Sequence, residues 1–191
     1  MKGMRMGSLF ALGTGQLLGY LYVASLGDLR INIIACEIGF FTNFLLYGTA
    51  LVLLSTNHPA MQKSKSALLI ILCMAIFFRL CMWVSPPSLS DDIYRYLWEG
   101  KLVAAGINPF VHAPADPALE HLQDVAIFPH INHKEYPAIY PPLNQFMFAL
   151  STIISPTISA MNMTFLLFDL LTMGLLILIL RERQLPLSRI I

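Results

Sequence analysis

The chain has 191 residues, of which 57% are hydrophobic and only 12% charged, about half the charged share of an ordinary soluble domain. A mean hydropathy of +0.67 excludes a water-soluble surface of normal composition. A net charge of +1 with no basic run leaves no electrostatic footprint for nucleic acid.

One membrane domain over residues 1–191 is the natural expectation at this length. Residues 6–27 carry no charge, 31–56 carry only Glu37, 66–89 only Arg79, and 157–180 only Asp169. Each stretch reaches the roughly 20 apolar residues that a hydrocarbon core requires. The expected spans are about 7–26, 33–56, 66–85 and 161–180, giving an all-α polytopic membrane protein with about four transmembrane helices. Lys2 and Arg5 before the first apolar run also suit a signal peptide, but that run is long and a second follows at once, which favours an uncleaved signal anchor. Cys36, Cys73 and Cys81 all lie in apolar runs without Cys-x-x-Cys or Cys/His spacing, so they read as small hydrophobes.

The apolar run at 142–155 lies between Pro142 and Pro156 and is short for a span. Three basic clusters decide its place: Lys2 with Arg5, His58 with Lys63 and Lys65, and Arg181 with Arg183 and Arg189. All three fall on the cytoplasmic side if 142–155 does not cross. The run therefore reads as an interfacial or re-entrant helix, and the segment 86–140 as an extracytoplasmic loop.

That loop holds most of the polar residues. Ser90 is a good N-cap, with Asp91 and Asp92 expected in the first turn, where carboxylates favour the helix dipole. Gly106 is placed to close the helix and Asn108-Pro109 to stop it. A spacing of four puts Asp91, Arg95 and Glu99 on one face. Tyr94, Trp98 and Leu102 form a second face suited to lipid headgroups. Arg95 and Glu99 have the spacing of an i,i+4 pair, and for Glu99 that is the expected role. Asp116-Pro117 opens a second short helix. His130 and His133 stand three apart near Glu135, without helical context for a metal site.

The segment SDDIYRYLWEGKLVAAGINPF, followed by PHINH and IYPPLNQ, resembles the first extracytoplasmic loop of GT-C glycosyltransferases. It is most similar to the bacterial polyprenol-phosphate-mannose-dependent mannosyltransferases, whose text reads roughly SDDxYRYxWDGR, GxNPY and YPPL. The resemblance covers about residues 79–180. Glu99 and Lys101 stand where Asp and Arg are usual, and family members are at least twice this long, so the chain is expected to be an N-terminal fragment, inactive alone.

The resemblance implies transfer of a hexose, mannose by preference, from a polyprenyl-phosphate donor to a glycan or glycolipid acceptor. It places the reaction on the extracytoplasmic side of the plasma (inner) membrane. By the family's logic Asp91 or Asp92 is the catalytic base. Arg79, Arg95 and Lys101 are the candidate phosphate cations, and Tyr94, Asn108 and Tyr140 complete the substrate-binding set. A divalent cation is compatible with the acidic pair, but one pair is no metal cage and no cofactor is assigned. The competing reading is a transporter or a non-catalytic membrane scaffold. No internal repeat is present, and the polar residues crowd one loop instead of the midplane.

The intramembrane charges Glu37, Arg79 and Asp169 are costly in hydrocarbon and mark function or a partner. At 1.5 Å per residue, Arg79 and Asp169 both come about 10 Å below the outer surface. An ion pair between them and a phosphate-binding role for Arg79 are equally open.

Overall fold

Long apolar stretches without an internal proline form the longest helices of the computed structural model, which describes residues 6–56 and 64–190. These helices are α1 (Met6–Ser25), α2 (Ile33–Thr56), α3 (Lys65–Val84) and α6 (Ile158–Glu182), with α4 (Asp92–Ala104) and α5 (Pro142–Ile154) between α3 and α6. Short 3-10 turns cover Pro117–Leu122, Phe128–His130 and Leu187–Ile190, and no strand is present among the described residues. Lys2, Arg5, His58 and Lys63, part of the charge argument for topology, lie outside the described residues.

Three helices, Ile33–Ser55, Lys65–Val84 and Ile158–Glu182, are long and apolar enough to cross a membrane. Helix α1 matches them in length with 20 residues, but Ser8, Thr14, Gln16 and its glycines dilute its apolar character. Its crossing rests on the sequence expectation alone. The helices display large apolar side chains outward, among them Phe40, Phe41, Leu45 and Leu69. A soluble protein rarely exposes such a surface, whereas lipid accepts it. The chain is a polytopic, all-helical membrane protein.

The fold divides into two compact units, one formed by residues up to Pro86 and from Phe168, the other by Pro87–Leu167. In the first, α1 packs on α2 and α3 around Leu9, Ala50, Leu54, Ala67 and Ile71. Close approach of α1 to α2 requires glycine, because a Cβ at Gly19 would lie 2.1 Å from Asn43 Oδ1.

The second unit is built by α4 and α5 crossing at Gly100, where an added Cβ would meet the Phe148 carbonyl oxygen at 2.5 Å. Its core joins Ile93, Leu97, Trp98 and Leu102 of α4 to Leu119, Ile127, Ile131, Phe148 and Met161. This corrects the expected headgroup face. Trp98 and Leu102 are 1% exposed, because the proline-rich segment after α4 folds back over them and supplies Leu119, Ile127 and Ile131.

Helix α5 has the expected two faces, arranged with the polar one inward. Gln145, Ser151 and Thr152 are buried, while Leu143, Phe146, Leu150, Ile153 and Ile154 are exposed. An apolar outer face is what a helix in contact with lipid presents.

Candidate functional site

The helix that carries the acidic pair begins one residue later than Ser90 as N-cap implies. Asp91 is the N-cap and Asp92 the first helical residue, while Ser90 Oγ accepts from the Asp92 backbone N–H at 3.1 Å. The shift decides which carboxylate shares a face with Arg95 and Glu99. Positions 92, 95 and 99 follow the i, i+3, i+7 pattern of one helical stripe, so Asp92 takes the place expected for Asp91. At the other end Gly106 adopts φ +76°, and the Ile107 N–H reaches back to Leu102 O at 2.9 Å. This is the glycine C-cap that the sequence indicates.

Asp92 faces a strap formed by residues 132–140. The Asn132 side-chain amide donates to Asp92 Oδ1 at 2.8 Å. The Tyr140 phenol lies close to Tyr96 and Asp92. Burial first, then the nearby Tyr96 and Asp92, push the Tyr140 phenol above its ordinary value, so it keeps its proton. The ring is held by Tyr96 and Phe148, with centroids at 5.0 and 5.8 Å.

Arg95 does not reach outward to a ligand. Its Nε donates to Glu99 Oε1 at 3.0 Å. Nη1 donates to the carbonyls of His133 and Tyr136 at 3.0 and 3.1 Å, and Nη2 to that of Pro137 at 3.1 Å. One buried guanidinium, 5% exposed, thus fastens the strap to α4. His133, at the start of this turn, takes a left-handed φ of +48°, an uncommon conformation for a non-glycine residue. Glu99 is more than the surface partner expected of it. It is 1% exposed and also accepts from the Gln145 side chain of α5. Burial pushes its carboxyl above the usual range despite the Gln145 and Arg95 hydrogen bonds.

The remaining candidates have other partners. Lys101 pairs with Asp124. Burial opposes the charged form of Asp124, but the Lys101 ammonium and the N–H groups of Ile127 and Ala126 outweigh it and hold the carboxyl below its ordinary value. Asn108 Oδ1 accepts from the Phe110 N–H at 3.0 Å, shaping the turn at the Asn-Pro step. Tyr94 stacks on His130 with centroids 4.8 Å apart instead of joining an aromatic belt. Arg79 belongs to the other unit, where it forms a two-pronged ion pair with Asp169. No group of three or more His, Cys, Asp or Glu able to hold a metal ion occurs among the described residues.

Asn132, Gln145 and Gly100 were given no role from the sequence. Asn132 and Gln145 do lie in the PHINH and IYPPLNQ segments that carry the resemblance, and Gly100 sits in a helix interior. The pairing of Asn132 with Asp92 was not legible, because the two lie 40 residues apart.

The arrangement offers a carboxylate held by the Asn132 amide at the start of a helix, with a buried ion pair beginning one turn further on. Such a group can accept a proton or stabilise a developing positive charge. Neither a curated protein nor a solved structure matches the chain. The family model described as alpha-(1->6)-mannopyranosyltransferase, N-terminal domain, matches residues 6–185; nearly the whole chain is covered, and it belongs to this mannosyltransferase family.

Proposed function

We propose that this domain forms the donor-side part of an enzyme that moves mannose from a polyprenyl-phosphate carrier to a glycan or glycolipid acceptor. The reaction takes place at the extracytoplasmic face of the plasma membrane, in a GT-C-type architecture. A carboxylate of the Asp91–Asp92 pair takes the proton of the acceptor hydroxyl as its oxygen bonds to the anomeric carbon. The bond from that carbon to the phosphate oxygen breaks, the polyprenyl phosphate leaves with the electron pair, and the sugar inverts. General-base assistance of this kind contributes about 10²–10⁴-fold.

One observation carries the reading. Asp92 stands on an ordered loop between apolar helices, and the side chains beside it, Asn132 and Tyr140, are neutral. Glu99 and Asp124 of the same unit instead pair with the cations Arg95 and Lys101. For the leaving phosphate the candidate cations are Lys101 and Arg79, each of which would exchange a carboxylate for the phosphate. Arg95, sealed inside, serves to fix the loop. A transporter or scaffold accounts less well for a family match to a mannosyltransferase.

The test is sugar transfer from a radiolabelled polyprenyl-phosphate mannose donor, in membranes containing the enzyme that carries this domain. Asp91→Asn and Asp92→Asn are expected to insert normally, and at least one of them to abolish transfer. Full activity in both would remove the catalytic reading.

A further inference from the structure

We propose that Asn132 and Tyr140 are positioning residues for Asp92, and that Asp92, not Asp91, is the reacting carboxylate. This rests on the mannosyl-transfer reading above and deepens it.

The two aspartates sit differently on the helix. Asp91 is the N-cap, with φ −90° and ψ 3°, outside the regular helix. Asp92 is the first residue of α4 and shares the stripe of Arg95 and Glu99, which faces the strap. Three sets of contacts meet on that stripe. Glu99 receives Gln145 from α5 and Arg95 from its own helix. Arg95 receives the carbonyls of His133, Tyr136 and Pro137. Asn132 and Tyr140 flank that clamped turn on either side; the Asn132 amide donates to Asp92, and the Tyr140 phenol lies close to the same carboxylate. The strap is thus pinned in its middle by a cation while its two ends bring neutral groups to one carboxylate.

The chemistry of this division is specific. A cation on Asp92 would weaken it as a base and compete with a developing positive charge on the sugar. A neutral amide and a phenol fix its orientation and leave the negative charge in place. An oriented base is worth much more than a mobile one, because a misplacement of about 1 Å can cost 10²-fold. The Tyr140 ring packing against Tyr96 and Phe148 restricts the phenol to one direction, so the hydroxyl can be removed without disturbing the packing.

The experiment uses the enzyme that carries this domain, in membranes, with kcat and KM for the polyprenyl-phosphate mannose donor measured separately. Tyr140→Phe and Asn132→Ala are expected to lower kcat by about 10- to 100-fold, with donor KM within about threefold of the parent and unfolding temperature nearly unchanged. Asn132→Asp keeps the side-chain shape but sets a second carboxylate against Asp92, and is expected to fall below Asn132→Ala. A purely structural role would instead lower the unfolding temperature and leave kcat per folded molecule unchanged, and that result overturns the proposal. So does Asn132→Asp matching or exceeding Asn132→Ala. If Asp92→Asn abolishes transfer while Asn132→Ala and Tyr140→Phe stay at parental kcat, the positioning role fails and the catalytic reading stands. If Asp92→Asn keeps full transfer and Asp91→Asn loses it, the assignment to Asp92 fails; if both keep it, the catalytic reading itself fails.

Discussion

Arg95 Nη2 and Glu99 Oε1 are 2.9 Å apart, between side chains that are 6% and 1% exposed, so an ion pair sealed from solvent joins α4 to the strap and to α5. A buried pair of this kind adds little net stability by itself, but breaking it leaves a buried charge without compensation. Arg95→Met also orphans the carbonyls of His133, Tyr136 and Pro137. A loss of about 3–5 kcal/mol is expected, measured as thermal unfolding of the purified protein in detergent. Arg95→Lys is not expected to rescue it, because a point charge cannot serve the carboxylate and the carbonyls in the fixed fork of a guanidinium. Stability equal to the parent in Arg95→Met would remove the clamp from this account.

Glu99 gives the same cluster a pH dependence. Burial raises its carboxyl in the folded state, while in the unfolded chain it titrates near the ordinary value of about 4.3. The folded protein therefore holds this proton to higher pH than the unfolded chain does. By linkage, its contribution is fully present below the unfolded value and declines as pH rises through the raised folded value. Glu99→Gln is expected to destabilise by about 1–3 kcal/mol at neutral pH. The variant should also flatten this part of the stability curve. Unfolding curves across mildly acid to neutral pH for both proteins decide it, and an unchanged slope in the variant counts against Glu99 as its source.

Periodicity and punctuation made the helices legible. The Pro86-Pro87 pair, Gly106 and Pro156 mark boundaries that chain-local chemistry dictates, and the structure respects them within a residue or so. The acidic pair, the Arg95–Glu99 spacing and the Asp116 cap could be read for the same reason, since each partner lies within one helical turn. What the spacing could not supply was burial. Tyr94, Trp98 and Leu102 look like an exposed amphipathic face until the loop folds over Trp98 and Leu102 and His130 stacks on Tyr94. That depends on contacts from Leu119 to Met161 that no local pattern encodes. The contacts of Asp92 with Asn132 and Tyr140 are non-local in the same way.

Topology is the next expectation to test. The basic residues Lys65, Arg181, Arg183 and Arg189 flank apolar helices, and by the positive-inside tendency they are expected on the cytoplasmic side. With the 87–157 region outside, Cys substituted at Gln184 in a cysteine-free background should label only after the membrane is permeabilised. Cys substituted at Ala115 should label in intact cells. Labelling of position 184 from outside would reverse the orientation, and would move the acidic pair to the cytoplasmic face.

Arg79 and Asp169 set the last prediction, because their ion pair and a role at the donor phosphate make different demands. Arg79 Nη2 donates to Asp169 Oδ1 at 3.3 Å and Nε to Oδ2, while Nη1 donates to Ala75 O at 3.1 Å. Both residues stand on helices apolar enough to cross a membrane. There an isolated charge at the helix centre costs about 2.5–3.5 kcal/mol. Arg79→Met and Asp169→Leu should therefore each lower the unfolding temperature or the yield of inserted protein. The double variant, in which neither charge is left alone, should recover most of the loss. If the pair were the whole role of Arg79, donor binding would recover with it. A guanidinium that exchanges Asp169 for the polyprenyl phosphate cannot be replaced by removing its counter-ion. The double variant is therefore expected to be stable and still to bind donor poorly. The four proteins of this cycle, compared for stability and for donor binding, separate the two terms. Parental donor binding in the double variant would take Arg79 out of the donor site and leave it as the partner of Asp169 alone.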